Sequence, residues 1–206
     1  YKDETFLLGK TDEKSDNFDV LLFAQREIEE ATIPSNIKII SSFAFQNCEK
    51  LKKVEFHPNA NLEIIGESAF SFTAIKDIFI PPTVSKICDD AFRKCEHIRS
   101  IQFSPNSNLQ IIGKSAFAYT SIHQFYIPPN VTKILKDSFF FSTVKIIEIS
   151  DESKLHPIDE SIFNGCFKVI VMIENRKEKW TINFSNLYNF KKITFFPLML
   201  NTKSIL

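Results

Sequence analysis

NLEIIGESAFSFTAIKDIFIPPTVSKI, residues 61–87, returns at residues 108–134 as NLQIIGKSAFAYTSIHQFYIPPNVTKI, ungapped and offset by 47 residues. A third copy of its second half, IPSNIKI, starts at Ile33, again 47 residues before Ile80. A fixed period of this length is the signature of a repeat array, in which each unit is one small supersecondary element. The period divides again. Phe recurs at 23, 45, 70, 92, 117, 139 and 163, with spacings of 22, 25, 22, 25, 22 and 24. Ala often precedes it, as at Ala44, Ala69, Ala91 and Ala116. The unit is therefore 22–25 residues long, in alternating short and long forms. NFSNLYNFKKITFFP from Asn183 parallels AFQNCEKLKKVEFHP from Ala44, which makes Phe184 the eighth Phe of the series.

After each Phe comes a short stretch with period-two alternation, which reads as a strand. The eight stretches are Ile28 to Ile33, Leu51 to Phe56, Ile75 to Ile80, Ile98 to Phe103, Ile122 to Ile127, Val144 to Ile149, Lys168 to Ile173 and Phe190 to Phe195. Pro and Asn follow most of them and turn the chain. A second short extended piece (IKII, LEII, LQII) and a helical or 3-10 turn at the Ala-Phe complete the unit. Such a unit cannot bury its own apolar side, so units must stack, each strand joining a parallel sheet and each Phe entering a common spine. The expected fold is an α/β right-handed solenoid, a horseshoe. It carries a parallel sheet of about eight strands, with short second strands and short helical or 3-10 turns on the other sides. At about 4.8 Å per rung the sheet edge would run roughly 35–40 Å. Residues 1–17 read as an N-terminal cap, 18–197 as eight repeats and 198–206 as a C-terminal tail, all in one domain.

Composition agrees. With 44% hydrophobic residues the 206-residue chain can bury a core. Lys+Arg and Asp+Glu balance at 25 each, so the broad positive field that recruits nucleic acid is absent. Four Gly in the whole chain make a phosphate-cradling loop an unpromising reading. No stretch approaches the roughly 20 apolar residues of a membrane-spanning helix. The chain opens at Tyr1 with KDETF, neither an initiator Met nor a signal-peptide pattern, which reads as a processed or partial chain.

IPPxVxKI, NLxIIGxSAF, a Cys or Thr three residues after the Phe, and then LxxVxF resemble the BspA-like leucine-rich repeats, also called the Treponema pallidum type. The resemblance covers nearly the whole chain. It implies a surface protein concerned with adhesion to host matrix and with cell aggregation. The last two copies and the tail depart furthest from the pattern.

Candidate chemistry is sparse. Cys48, Cys95 and Cys166 share a column, three residues after the Phe, with Thr73, Thr120 and Ser142. A column mixing Cys, Thr and Ser reads as a structural ladder that satisfies turn backbone. Cys48 and Cys95 would stand two rungs apart, about 9–10 Å, too far for a disulfide. Cys88 lies off the ladder. His57, His97, His123 and His156 are scattered, and no HExxH, GxSxG, Walker A or GxGxxG pattern occurs. No catalytic, cofactor-binding or metal residue is assigned, and an enzyme is not expected. Asn130-Val-Thr132 and Asn183-Phe-Ser185 match glycosylation acceptors.

The candidate ligand-binding surface is the outer face of the strand sheet. Alternation turns out Lys53 and Glu55, Asp77 and Phe79, Ser100 and Gln102, Gln124 and Tyr126, Ile146 and Glu148, and Ile170 and Met172. Glu30 with Thr32 and Lys192 with Thr194 would complete it. The expected role is recognition of a protein or glycoprotein at the cell surface or in the secreted state. The alternatives are an intracellular scaffold and a passive spacer in a larger ectodomain.

Overall fold

Period-two alternation of β-branched and aromatic residues gives strands, and the Pro-rich turns after them are too short to build helices. In the computed structural model the chain is accordingly almost all strand and turn. The structure describes residues 5–150, 152–155, 158–167, 169–174, 182–183 and 193–198. β1 (Phe6–Gly9) and β2 (Val20–Ala24) open the fold as an antiparallel pair. Longer and shorter strands then alternate: β3 (Glu30–Ile33), β4 (Ile39–Ile40), β5 (Lys53–Phe56), β6 (Ile64–Ile65), β7 (Asp77–Ile80), β8 (Lys86–Ile87), β9 (Ser100–Phe103) and β10 (Ile111–Ile112). The series continues through β11 (Gln124–Ile127), β12 (Lys133–Ile134), β13 (Ile146–Ile149), β14 (Ile158–Asp159), β15 (Val169–Glu174), β16 (Ile182–Asn183) and β17 (Ile193–Leu198). The odd-numbered strands from β3 to β17 form the eight-strand face. Every strand pair except β1–β2 is parallel, as the return of each rung to the same side requires.

The longest continuous ladder is not on that face. The seven-stranded sheet runs β1-β2-β4-β6-β8-β10-β12, through two-residue strands. On the long-strand face the ladder is segmented into β3-β5, β7-β9 and β11-β13-β15-β17. The breaks fall at β5–β7 and β9–β11, each where successive spine Phe stand 25 residues apart, while the 24-residue step from β13 to β15 stays paired.

A third ladder crosses the Ala-Phe segments. The amides of Phe45, Phe70, Phe92, Phe117 and Phe139 donate to the carbonyls of Ala69, Ala91, Ala116, Ser138 and Ile162 on the next rung, at 2.7–2.8 Å. The residues two before and two after each Phe make equivalent bonds, such as Phe43 to Glu67 and Asn47 to Ser71. Those flanking residues all have positive φ: Phe43, Asn47, Ser68, Phe72, Asp90, Lys94, Ser115, Tyr119, Asp137 and Phe141. The segments expected to be helical turns are thus tight left-handed turns. One 3-10 turn, Glu160–Phe163, occurs among the described residues. The left-handed kinks replace it elsewhere because they aim three amides per rung at the neighbour, where a helical turn would bond within itself.

Inside, the Phe side chains stack as one spine. Ring centroids of Phe45, Phe70, Phe92, Phe117, Phe139 and Phe163 are 4.9–5.8 Å apart in succession, with interplanar angles of 9–28°. All six are fully or almost fully buried. Phe23 does not join them. It lies in β2, is 43% exposed and carries the Arg26 guanidinium 3.9 Å above its ring. The first rung runs straight from β2 towards β3 without an Ala-Phe turn, so it has no inward slot for Phe23. Phe6 from β1 fills the place, meeting Phe45 edge-on at 6.0 Å. Phe184 and Phe190 lie outside the described residues.

Candidate binding surface

Alternation along each long strand sends one set of side chains into the core and the other outward. Val54, Ile78, Ile80, Ile101, Phe125, Ile127, Ile147, Ile149, Val169 and Val171 are buried. Between them Lys53, Glu55, Asp77, Phe79, Gln102 and Gln124 are exposed, while Ser100, Tyr126, Ile146, Glu148, Ile170 and Met172 are half-buried. Register assembles these into two rows across the face. One runs Glu30↔Lys53, then Asp77↔Ser100, then Gln124↔Ile146↔Ile170. The other runs Thr32↔Glu55, then Phe79↔Gln102, then Tyr126↔Glu148↔Met172. Thr194 pairs with Ile170 in β17, and Lys192 lies outside the described residues.

The face changes character along its length. At the start it is charged, and Lys53 and Glu55 pair at 2.7 Å within one strand. Both are more than half exposed, so the pair contributes little to stability. From β11 onward Tyr126, Ile146, Ile170 and Met172 give it an apolar half. Phe79 stands between the two zones at 48% exposure. A rigid aromatic held out by a sheet binds at little entropic cost, because its backbone is already fixed. Beside the apolar half, a cavity of about 550 Å³ is lined by Ser142, Thr143, Val144, Lys145, Gly165, Phe167 and Ile170.

The Cys/Thr/Ser column is buried throughout. Cys95 Sγ donates to the Phe70 carbonyl at 3.0 Å and meets Thr73 Oγ1 at 3.3 Å. Cys166 Sγ donates to the Phe139 carbonyl at 3.0 Å and meets Ser142 Oγ at 3.6 Å. Thr120 Oγ1 turns to the Phe117 carbonyl of its own rung at 2.8 Å. Cys48 Sγ reaches the Gln25 carbonyl at 3.7 Å. Burial pushes all of these thiols up, Cys95 to about 11, so they stay protonated at neutral pH. Cys88, half-buried off the column, is also raised by burial. All four cysteines are free thiols.

Asn130 is tied into the array. Its Nδ2 donates to the Ser107 carbonyl at 3.0 Å, and its Oδ1 accepts from Lys154 Nζ at 2.8 Å. Asn183 falls in β16, and its partner Ser185 lies outside the described residues. Among the described residues no three His, Cys, Asp or Glu side chains gather as metal ligands would. His57 and His123 each contact backbone of their own loop, and His156 lies outside the described residues. No helix among the described residues is long and apolar enough to cross a membrane.

Sequence reasoning overlooked the opposite side of each rung. Phe72, Lys94, Tyr119 and Phe141, each two residues after a spine Phe, form an outer column over the turn ladder. Tyr119 and Phe141 stack at 5.9 Å and 5°. Lys94 Nζ sits between the Phe72 and Tyr119 rings, 5.0 and 5.8 Å from their centroids. The column could have been found by reading the position two residues after each spine Phe, which holds Phe72, Lys94, Tyr119 and Phe141.

Known proteins share this organisation. A family model described as a BspA type leucine-rich repeat region matches residues 18–145 in six copies, more than half of the chain. The crystal structure of a T. pallidum leucine-rich repeat protein superimposes with a TM-score of 0.71 at 19% identity, covering 95% of this chain and 85% of that one. The pneumococcal vaccine antigen PcpA superimposes with a TM-score of 0.62 at 19% identity, covering 92% of this chain. The chain spans about half of PcpA's length, 54%. No curated protein matches the sequence significantly.

Proposed function

The chain belongs to the BspA-type leucine-rich repeat family, and on that premise we propose that it is a non-catalytic recognition module for host matrix or cell-surface macromolecules. Leucine-rich repeats are protein-interaction modules, and the family and fold are typically non-enzymatic. The ligand surface is the outer face of the eight long strands. One observation carries this reading: a single rigid face holds Phe79 and Tyr126 outward in the same row, with polar neighbours on one side and Ile146, Ile170 and Met172 on the other. Aromatic anchors inside a polar surround are the composition of binding hot spots. Display at the cell surface is supported by the family and by the description of PcpA as a vaccine antigen.

The test is binding of the purified chain to immobilised extracellular-matrix extract, with wild type compared to Phe79→Ala/Tyr126→Ala. Two anchors at about 1–2 kcal/mol each predict affinity weaker by at least tenfold in the double variant. Unchanged binding by a variant with native circular dichroism would move the site off this face. A second reading, an intracellular scaffold for a protein partner, draws support from the four free thiols, which suit a reducing compartment. Surface biotinylation of intact cells separates the two.

A further inference from the structure

We propose that β3, the first strand of the long-strand face, is an open sheet edge that takes an extended, lysine- or arginine-bearing segment of a partner protein as an added strand. The two faces begin differently. The seven-stranded sheet starts with β1, laid antiparallel on β2, whereas β3 pairs with β5 alone. The Ile33 carbonyl accepts from the His57 amide at 3.1 Å, and the Glu29 carbonyl from the Lys52 amide at 2.8 Å. Backbone groups alternate along a parallel pair, so Glu29, Ala31 and Ile33 face β5, and the amides and carbonyls of Glu30 and Thr32 face away from it. Among the described residues nothing hydrogen-bonds to these groups on that side. Two donors and two acceptors are left, in pairs roughly 6.5–7 Å apart, a spacing that an extended backbone matches.

Charge selects the occupant. The first rung carries Glu27, Glu29 and Glu30, all exposed. Glu27 pairs with Lys50 at 2.6 Å and Glu29 with Lys52 at 3.0 Å, and each lysine stands on the second rung. Both pairs thus hold carboxylate at the end of the array and ammonium away from it. Lys53, also on the second rung, is held by Glu55 at 2.7 Å. Arg26 is turned to the Ala24 and Ala44 carbonyls at 3.3 and 3.1 Å. The wider end is acidic too: residues 5–38 hold seven Asp or Glu and four Lys or Arg, net −3, in a chain whose total is zero. A second copy paired edge to edge would bring two such ends into like-charge contact, which opposes self-pairing. A cationic strand meets carboxylates and open backbone groups in one place.

The probe is fluorescein-labelled Lys-Val-Lys-Val-Lys-Val, titrated by anisotropy at low salt. Binding is expected, and N-methylation of the peptide's amides should abolish it at unchanged charge. Thr32→Pro removes an edge amide. A sheet edge tolerates Pro where the N–H faces outward, so the fold should survive and binding be lost. Thr32→Val keeps the backbone and should bind as wild type does. Glu30→Lys should weaken binding about tenfold and Glu30→Gln less, while Glu63→Gln, away from the edge, leaves it unchanged. No binding, equal binding of the N-methylated peptide, or indifference to Glu30→Lys would each overturn the proposal. So would wild-type affinity in a Thr32→Pro variant with native circular dichroism. Dimerisation in sedimentation that Thr32→Pro abolishes would overturn the partner class in favour of a second copy. The matrix-binding test rests on Phe79 and Tyr126 and on another ligand, so the two readings can fail separately.

Discussion

At the residue scale the spine Phe and the two Gly beneath the short strands bear the heaviest constraints. Phe92 is fully buried and stacked on both sides, at 5.2 Å on Phe70 and 5.6 Å on Phe117. Phe92→Ala should cost about 3–5 kcal/mol in urea unfolding, and Phe92→Leu considerably less. Gly113 is set against the backbone of the preceding rung, where an added Cβ would lie 2.4 Å from the Cys88 carbonyl carbon. Backbone cannot swing aside as a side chain can. Gly113→Ala should therefore destabilise by about 1–3 kcal/mol or more, with the cost read from the same unfolding curves. The reverse holds at Phe43, exposed at φ 64°, where a bulky residue sits in the left-handed region. Phe43→Gly should leave stability unchanged or raise it by up to about 1 kcal/mol, whereas Phe43→Val should lower it.

At the element scale the Cys/Thr/Ser column joins each turn to its neighbour, and its thiols make the joint sensitive to alkali. The Cys95 thiol is raised by burial to about 11 in the folded chain from an ordinary value of 9.0. Between those values the unfolded chain has lost the proton that the folded chain keeps, so stability falls as pH rises through that window. Urea unfolding from pH 8 to 11 should show this loss. It should shrink in Cys95→Thr, a substitution the column already accepts at Thr73 and Thr120. At neutral pH iodoacetamide should reach half-buried Cys88 before fully buried Cys95.

The strands and the spine from Phe45 to Phe163 were legible because period two and a Phe every 22–25 residues survive in those copies. The turn geometry was not, because its left-handed positions hold Phe, Asn, Ser, Asp, Lys and Tyr, and among the described residues glycine marks that conformation only at Gly165, after the last spine Phe described. Phe23 misled for a related reason. Its spacing of 22 residues fits the series, but spacing does not reveal that its rung lacks the turn which would point it inward. On the surface, alternation turns outward the strand-face side chains from Glu30 to Met172, which are exposed or half-buried. It could not disclose the outer aromatic column, whose members become neighbours only through the turn ladder.

At the scale of the whole molecule, three ladders run along one axis: the short strands through β12, the turns from the Phe45 rung to the Phe163 rung, and the long strands of the face. The strand-face ladder breaks at β5–β7 and β9–β11, two rungs apart, and Gly66 and Gly113 are separated by the same two-rung step of 47 residues. A long unit fits a short one, and a short one fits a long one. Like units placed in contact would confront mismatched loops and a glycine contact facing the wrong backbone. The length of such an array is therefore quantised. Excision of residues 67–113 should give a shorter chain that still unfolds cooperatively, whereas excision of 67–88, a single rung, should not. Gene duplication or unequal crossing-over could then lengthen this surface only in paired steps, each adding about 9–10 Å of reach.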